Sequence, residues 1–83
     1  MLHKNLEYFR FAVKAGSLTR AAIFHGASVS TVARAINKLE DELGVTLLER
    51  NYTGIRLTTA GELLFPKIVT LLENLDEVRL RTY

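Results

Sequence analysis

The side chains with the most hydrogen-bonding chemistry in this sequence lie on one predicted helix, between residues 28 and 43. A helical period places them opposite an apolar stripe, so they should face solvent together. Their hydroxyl, amide, guanidinium and ammonium groups donate hydrogen bonds, and two of the groups are cationic. Donors of this kind bind phosphate oxygens and the edges of nucleic-acid bases. The candidate residues are Ser28, Ser30, Thr31, Arg34, Asn37 and Lys38.

Arg34 is the strongest candidate of this set because it lies in the middle of the predicted exposed face. Arginine pairs bidentately with guanine in the major groove or holds a phosphate, although solvated arginines are also common on helices. Ser28 is expected to cap the helix, a role that is compatible with a phosphate contact. Val29 carries only methyl groups, so it could meet a thymine methyl or pack against the preceding helix. Lys38 is either a clamp on the DNA backbone or a solvated cation.

Three further donors lie at the start of the preceding short helix, where backbone N–H groups attract phosphate. They are Ser17, Thr19 and Arg20. Ser17 is also expected to cap that helix, which is a purely structural role. Arg20 is either a contact to the DNA backbone or a solvated side chain.

The elements that must position these residues follow from hydrophobic spacing and glycine stops. The second and third of four predicted helices are joined by a tight turn at His25-Gly26-Ala27, which is the layout of a helix-turn-helix. Two short apolar runs around Asn51-Tyr52-Thr53-Gly54 predict a β-hairpin, or wing. The predicted helices span residues 4–15, 17–24, 28–43 and 59–81, and the predicted strands span residues 45–48 and 55–57.

Two arginines flank the turn of this hairpin and could reach the minor-groove side of a duplex. They are Arg50 and Arg56. Arg50 could instead form an ion pair with Glu49 or with an acid of the third helix.

The apolar side chains of the helices predict the core. The stripe of the third helix contains Val32, Ile36, Leu39 and Leu43. Aromatic side chains in the helices are expected to pack in the core rather than to stack on single-stranded bases. These aromatic residues are Tyr8, Phe9, Phe11 and Phe24.

The last predicted helix opens with Thr59 and Glu62 at the spacing of a capping box. Its apolar residues then step by four and three, which is a heptad seam typical of a helix that pairs with another helix. The same seam could instead cover the domain's own core. The seam residues are Leu64, Ile68, Leu71, Leu75 and Val78. Residues 1–58 are therefore predicted to form the winged helix-turn-helix, and residues 59–83 a linker and dimerisation helix.

Composition excludes several classes of function. The 83-residue chain has no cysteine, which excludes a disulfide framework and a thiolate metal site, and its two histidines are isolated. No arrangement of nucleophile, base and orienting acid is found, so neither an enzyme nor a cofactor is predicted. No apolar run is long enough to cross a bilayer, and a cytoplasmic protein is expected. Positive charge is concentrated in residues 1–58, whereas residues 59–83 carry a slight acidic excess.

Four stretches together resemble the N-terminal part of LysR-type transcriptional regulators. They are Leu6-Glu7-Tyr8-Phe9, the run from Gly16 to Ala22, the run from Ile36 to Arg50, and the run from Arg56 to Gly61. The resemblance covers nearly the whole chain, with matching order and spacing. It implies a mainly α-helical fold, a winged helix-turn-helix of three helices and a hairpin, followed by a linker helix that forms a homodimer.

The resemblance also implies how such a protein works. Members of the family are bacterial, associate with the nucleoid and bind interrupted palindromes in promoter DNA. They carry a larger C-terminal effector-binding domain beyond the length of this chain. Most respond to small metabolites and assemble as tetramers.

The sequence departs from the family pattern at residues that usually contact bases. Val29 and Ser30 stand where the family often has glutamine and proline. Ala33 replaces a common serine, and Thr53 in the wing replaces a common arginine. Both Ala33 and Thr53 are kept as candidate DNA-binding positions, but a family consensus target should not be transferred to this chain.

A second reading belongs to another functional class. The long helix could bind a partner coiled coil in a helical protein-interaction module that has no DNA role. Salt-sensitive binding to promoter DNA would separate the two, because neutralised phosphates release counterions. A membrane-surface helix is disfavoured, since the last helix has acids on its polar face and few lysines.

Overall fold

The computed structural model describes residues 2–82, with the side chains of residues 2–79. It contains the predicted four helices and one two-stranded antiparallel hairpin. The elements are α1 (Leu2–Ala15), α2 (Leu18–His25), α3 (Val29–Leu43), β1 (Leu48–Asn51), β2 (Gly54–Leu57) and α4 (Thr59–Thr82). Among these described elements, no helix combines the length and apolar character needed to span a membrane.

Two serines start the paired helices as the sequence predicts. The Ser17 Oγ accepts a hydrogen bond from the Arg20 N–H at 3.2 Å, and the Ser28 Oγ accepts one from the Thr31 N–H at 3.1 Å. Each cap satisfies one of the N–H groups that a helix leaves without an internal acceptor. Gly26 ends α2 in the left-handed conformation, with φ at 61°. The turn between α2 and α3 is therefore set locally, by one serine and one glycine.

The core lies between α1, α3 and the first half of α4. Its largest fully buried side chains are Phe9, Val32, Ile36, Leu39, Leu47 and Leu72. Phe65 of α4 packs edge-on against Phe9, with ring centroids 5.9 Å apart. The long helix is thereby fixed to the body of the same chain.

Two residues predicted to be in the core are instead exposed. Phe24 has 81% of its surface accessible, because the buried Ala21 and Ala22 fix the inner face of α2 more than a quarter turn away from it. Leu43 is 43% exposed. It is the last residue of α3, and Gly44 turns the chain out of the helix directly after it.

The first strand begins at Leu48, whereas the hydrophobic run predicts a strand from Val45. The reason is a contact with α3. The Glu40 carboxylate accepts hydrogen bonds from the N–H groups of Leu47, at 2.7 Å, and Leu48, at 3.2 Å. These donors are thereby taken up by a helix side chain, and the fully buried Leu47 enters the core before the hairpin begins.

The N-cap of α4 is Thr58, so the predicted capping box on Thr59 is wrong. The Thr58 Oγ1 accepts from the Gly61 N–H at 3.0 Å, and the Thr58 carbonyl accepts from the Glu62 N–H at 2.9 Å. The Thr58 hydroxyl also donates to the Thr46 carbonyl. That second bond selects the first of two adjacent threonines.

These contacts meet at one place, which we call the Leu47 junction: Glu40, Thr46, Leu47, Thr58 and Gly61. The Thr58 N–H donates to the Leu47 carbonyl at 3.0 Å. A Cβ added to the buried Gly61 would lie 2.2 Å from that carbonyl oxygen, which no side chain tolerates. The junction therefore joins α3, the hairpin and α4 through backbone groups.

Glu40→Ala should lower the free energy of unfolding by about 2–3 kcal/mol, because two part-buried N–H groups lose a charged acceptor. Glu40→Gln retains one acceptor oxygen and should lose less. Urea unfolding of the three proteins measures the difference.

Glu42→Ala is the matched control, since it removes an exposed acid from the same end of α3. We expect its stability to change by no more than about 0.5 kcal/mol. Equal losses in both variants would show that any substitution at this end of α3 has the same cost and would contradict the role of the junction.

Candidate nucleic-acid interface

The outer face of α3 is exposed as the sequence predicts. Val32, Ala35, Ile36 and Leu39 are buried on the inner face. Helical geometry therefore turns the polar residues of α3 outward. The exposed polar residues are Ser30, Arg34, Asn37, Lys38 and Asp41. A convex helix with this face is the shape that enters the major groove of DNA.

A hydroxyl cluster occupies the N-terminus of α3. The Ser28 Oγ lies 3.0 Å from the Ser30 Oγ and 2.8 Å from the Thr31 Oγ1, besides accepting from the Thr31 N–H. A hydroxyl has one hydrogen and two lone pairs, so Ser28 donates to one neighbour and accepts from the other. One hydrogen of the cluster, on Ser30 or Thr31, stays available. The cluster can thus cap the helix and still donate to a phosphate or a base edge.

A groove of about 590 Å³ separates the start of α2 from the hairpin. It brings together six of the residues that the sequence singles out. They are Ser17, Thr19, Arg20, Val29, Arg50 and Thr53. Val29, the first residue of α3, is 42% exposed, and Ala33 is half-buried one turn further along the helix. Polar residues of α2 and of the hairpin therefore line the same groove as Val29.

The hairpin arginines lie on opposite faces. Arg50 pairs in register with Ile55, and Glu49 pairs with Arg56. The Arg50 guanidinium donates to the Asn37 Oδ1 at 2.7 Å, so it leans on α3. The Arg56 guanidinium forms an exposed ion pair with Glu49 at 3.0 Å. The partner of Arg50 is therefore an amide of the third helix, not Glu49.

The turn of the hairpin is held by Asn51. Its Oδ1 accepts from the Thr53 N–H at 2.9 Å and from the Thr53 Oγ1 at 2.5 Å. Gly54 follows with φ at 139°, and an added Cβ there would lie 2.9 Å from the Gly16 carbonyl oxygen. Thr53 thus serves the turn, and the hairpin rests against the connection between α1 and α2.

Lys4 lies beside the candidate interface, although no local sequence pattern indicates it. A shallow groove between α1 and α3 is lined by Lys4, Tyr8, Arg34 and Lys38, among others. Three cations from two helices therefore flank one side of the exposed face. Only the packing of α1 on α3 shows this, because a single lysine near the N-terminus has no informative spacing.

The predicted seam of α4 divides between two surroundings. Ile68 is 6% exposed and belongs to the core of its own chain, and Leu64 is half-buried against that core. Leu71 and Leu75 are 46% and 36% exposed, and Val78 is exposed as well. Leu63, which lies outside the predicted seam, is 66% exposed. The seam therefore covers the core at its start and presents apolar side chains to solvent further along.

Residues 3–62 match the family of bacterial regulatory helix-turn-helix proteins called the lysR family. The chain belongs to this family. Its backbone superposes on the crystal structure of the BenM DNA-binding domain with catB site 1 DNA, with a TM-score of 0.91 and 33% identity, covering 99% of this chain and 92% of that one. The CbnR DNA-binding domain in complex with DNA gives a TM-score of 0.92 and 34% identity, covering 99% and 94%. The fold is thus the winged helix-turn-helix of LysR-type DNA-binding domains.

Curated relatives of this LysR-type domain are transcriptional regulators. The uncharacterised regulator YeiE of Escherichia coli K12 is 36% identical over 75 residues, which are 90% of this chain and 26% of YeiE. The transcriptional activator AaeR of the same strain is 36% identical over 80 residues, which are 96% of this chain and 26% of AaeR. The chain spans about a quarter of the length of these relatives, and it corresponds to their DNA-binding part.

The contact between Arg50 and Asn37 predicts an indirect role for Asn37. Asn37→Ala should weaken duplex binding by about 0.5–1.5 kcal/mol, because Arg50 loses the acceptor that orients it. In an Arg50→Ala background the same substitution should cost less than about 0.5 kcal/mol. Fluorescence anisotropy on one labelled duplex measures all four proteins of this cycle.

Arg20→Ala supplies the control background, since Arg20 lies on α2 and Asn37 should keep its full effect there. Equal costs of Asn37→Ala in the wild-type and Arg50→Ala backgrounds would show that Asn37 contacts DNA by itself.

Proposed function

We propose that this LysR-type domain binds a promoter operator as a homodimer, with α3 in the major groove and the hairpin against the adjacent backbone. The exposed outer face of α3, centred on Arg34, carries the proposal. The DNA complexes of the BenM and CbnR domains support it, because each shares nearly the whole fold with this chain. The protein would then act on the bacterial chromosome in the cytoplasm, with no catalytic step and no cofactor.

Base edges and phosphates are assigned to different groups of residues. Arg34 reads a base, and Asn37 keeps Arg50 close to α3. Val29 and Ala33 offer methyl groups to thymine. Phosphate contacts come from the two helix N-termini and from the cations beside α3. The residues that we assign to phosphate contacts are Ser17, Thr19, Arg20, Ser28, Ser30, Thr31, Lys38 and Lys4.

Two of the residues predicted to contact DNA already make hydrogen bonds or an ion pair within the chain. The Thr53 N–H and hydroxyl are bound to Asn51, and Arg56 is bound to Glu49 on the face away from α3. Both residues remain proposed contacts to the DNA backbone. A guanidinium retains further N–H donors after one ion pair, so Arg56 could contact a phosphate without losing Glu49.

The exposed apolar residues of α4 support a dimer formed by two linker helices. Leu63, Leu71 and Leu75 leave apolar area in solvent that a second copy of the helix could cover. A two-fold dimer places two α3 helices on two half-sites, which matches an interrupted palindrome. For the whole protein we propose a tetramer that responds to a small-molecule effector through a further domain.

Arg34→Ala should weaken binding to the cognate operator by about 1–3 kcal/mol if Arg34 pairs with a base. Its effect on unrelated duplexes should be smaller, because the base pairing is absent there. Mobility shifts with the operator and with a scrambled duplex provide the measurement. The operator itself can be obtained by selecting bound sequences from a random pool.

Arg79→Ala, an exposed arginine on α4, removes the same charge away from the interface and should leave both affinities within about 0.5 kcal/mol. An equal loss for Arg34→Ala on the two duplexes would reduce Arg34 to a phosphate contact. A wild-type chain that binds no duplex at either of two salt concentrations would favour the protein-interaction reading.

Leu71→Asp should convert the dimer to a monomer, because a carboxylate would be buried against an apolar partner helix. Sedimentation velocity measures the state, and binding to paired half-sites should weaken while binding to a single half-site is retained. Ile23→Asp is the matched control, since it places the same charge at a 74% exposed position on α2. A Leu71→Asp protein that remains dimeric would remove α4 from the interface.

A further inference from the structure

Tyr52 lies at the tip of the hairpin and is 101% exposed, so its side chain contributes nothing to the packing of the fold. It is one of two residues, Tyr52 and Thr53, that connect β1 to β2. The hydroxyl and N–H of Thr53 are both bound to the Asn51 Oδ1. Of these two residues, Tyr52 therefore presents a side-chain donor, its phenol, to the outside.

The two cations of the hairpin are held further from its tip. Arg50 is in register one pair below the closing pair Asn51↔Gly54, and it bonds to Asn37 of α3. Arg56 is one pair lower again and bonds to Glu49. Neither guanidinium extends past the turn while these bonds are made. A backbone contact at the tip thus falls to an uncharged group.

The position of the tip is fixed relative to α2. Gly54 packs its Cα against the Gly16 carbonyl, where an added Cβ would come within 2.9 Å. Tyr52 lines the same groove as Ser17, Thr19 and Arg20, which are the proposed phosphate contacts of α2. Tyr52 and the N-terminus of α2 therefore border one groove of the domain.

We infer that Tyr52 gives the tip of the wing a contact to the DNA backbone, by donating its phenolic hydrogen to a phosphate oxygen. The inference rests on the proposed binding of duplex DNA. Tyrosine is among the neutral side chains that make such contacts, and its ring carries the hydroxyl well beyond the main chain at the turn. The family's arginine at the next position is Thr53 here, so the wing exchanges a charged contact for a neutral one.

A neutral donor gives this contact a distinct signature. A lysine or arginine on a phosphate displaces counterions, and its removal lowers the slope of log affinity against log salt by about one. A phenol displaces no counterion, so its removal should leave the slope unchanged. The contact carries no base information, so its loss should be the same on every sequence.

The test compares Tyr52→Phe, Tyr52→Ala and Tyr52→Arg with the wild-type chain. Binding to the selected operator and to a scrambled duplex is measured by anisotropy over a series of salt concentrations. Tyr52→Phe should weaken both duplexes about three- to tenfold, as one hydrogen bond would, with the salt slope unchanged. Tyr52→Ala should lose at least as much. Tyr52→Arg should steepen the slope by about one.

The outcomes separate this inference from the proposed function. Wild-type affinity for Tyr52→Phe combined with weaker binding by Tyr52→Ala would mean a ring contact and would overturn the phenol assignment. Wild-type affinity for both would remove Tyr52 from the interface, although DNA binding itself would stand. A wild-type chain without duplex binding would defeat the proposed function and this inference together. Unchanged unfolding temperatures would confirm that the variants fold, as the full exposure of Tyr52 leads us to expect.

Discussion

The Glu40 carboxylate on the N–H groups of Leu47 and Leu48 is the interaction on which the arrangement of this domain depends. It bonds the C-terminal end of α3 to the segment that leads into the hairpin. Thr58 then returns to the same segment through the Thr46 and Leu47 carbonyls and starts α4 there. One side chain and a few backbone groups thereby fix the relative positions of α3, the hairpin and α4, the three parts that are proposed to contact DNA and a partner chain. The side-chain bonds of this set join residues that are 7, 8 and 12 positions apart in the sequence.

The long helix has two tasks that compete for the same apolar side chains. Ile68 and Leu72 are buried in the core of their own chain, and Phe65 packs on Phe9. Leu71 and Leu75 are displaced around the helix and remain exposed. A heptad pattern cannot distinguish these tasks, because a helix that packs on a body and on a partner shows one broad apolar side. One side of the helix therefore belongs to the fold, and the adjacent side with Leu71 and Leu75 is available for association.

Several features that depend on neighbours within one helical turn are predicted correctly from the sequence. The caps at Ser17 and Ser28 and the inner face of α3 follow from spacing alone. The exposed positions of Arg34 and Lys38 follow from the same period, which is why the candidate interface could be recognised. Family resemblance added the identity of the domain, since the matched runs preserve both order and spacing.

Features set by contacts between elements could not be predicted. The choice of Thr58 over Thr59 is made by the Thr46 carbonyl, 12 residues earlier in the chain. The late start of β1 is set by the Glu40 carboxylate, which lies seven and eight residues before the N–H groups that it binds. Phe24 is a different case, because its residue type predicts a core position whereas the spacing within α2 turns it outward. Lys4 joins the cations of α3 only through packing, and no local pattern indicates it.

Gly61 has a consequence for how a dimer would measure its target. The Gly61 backbone lies against the Leu47 carbonyl, and Thr58 bonds to Thr46 and Leu47, so the start of α4 is held against the rest of the domain. The distance between the two α3 helices of a dimer would then be set where the two α4 helices meet. A shift of one helical turn along that contact moves an α3 helix by about 5.4 Å, which exceeds the roughly 3.4 Å step from one base pair to the next. Such a rigid dimer would tolerate few operator spacings, because each base pair inserted between the half-sites changes their distance by that step.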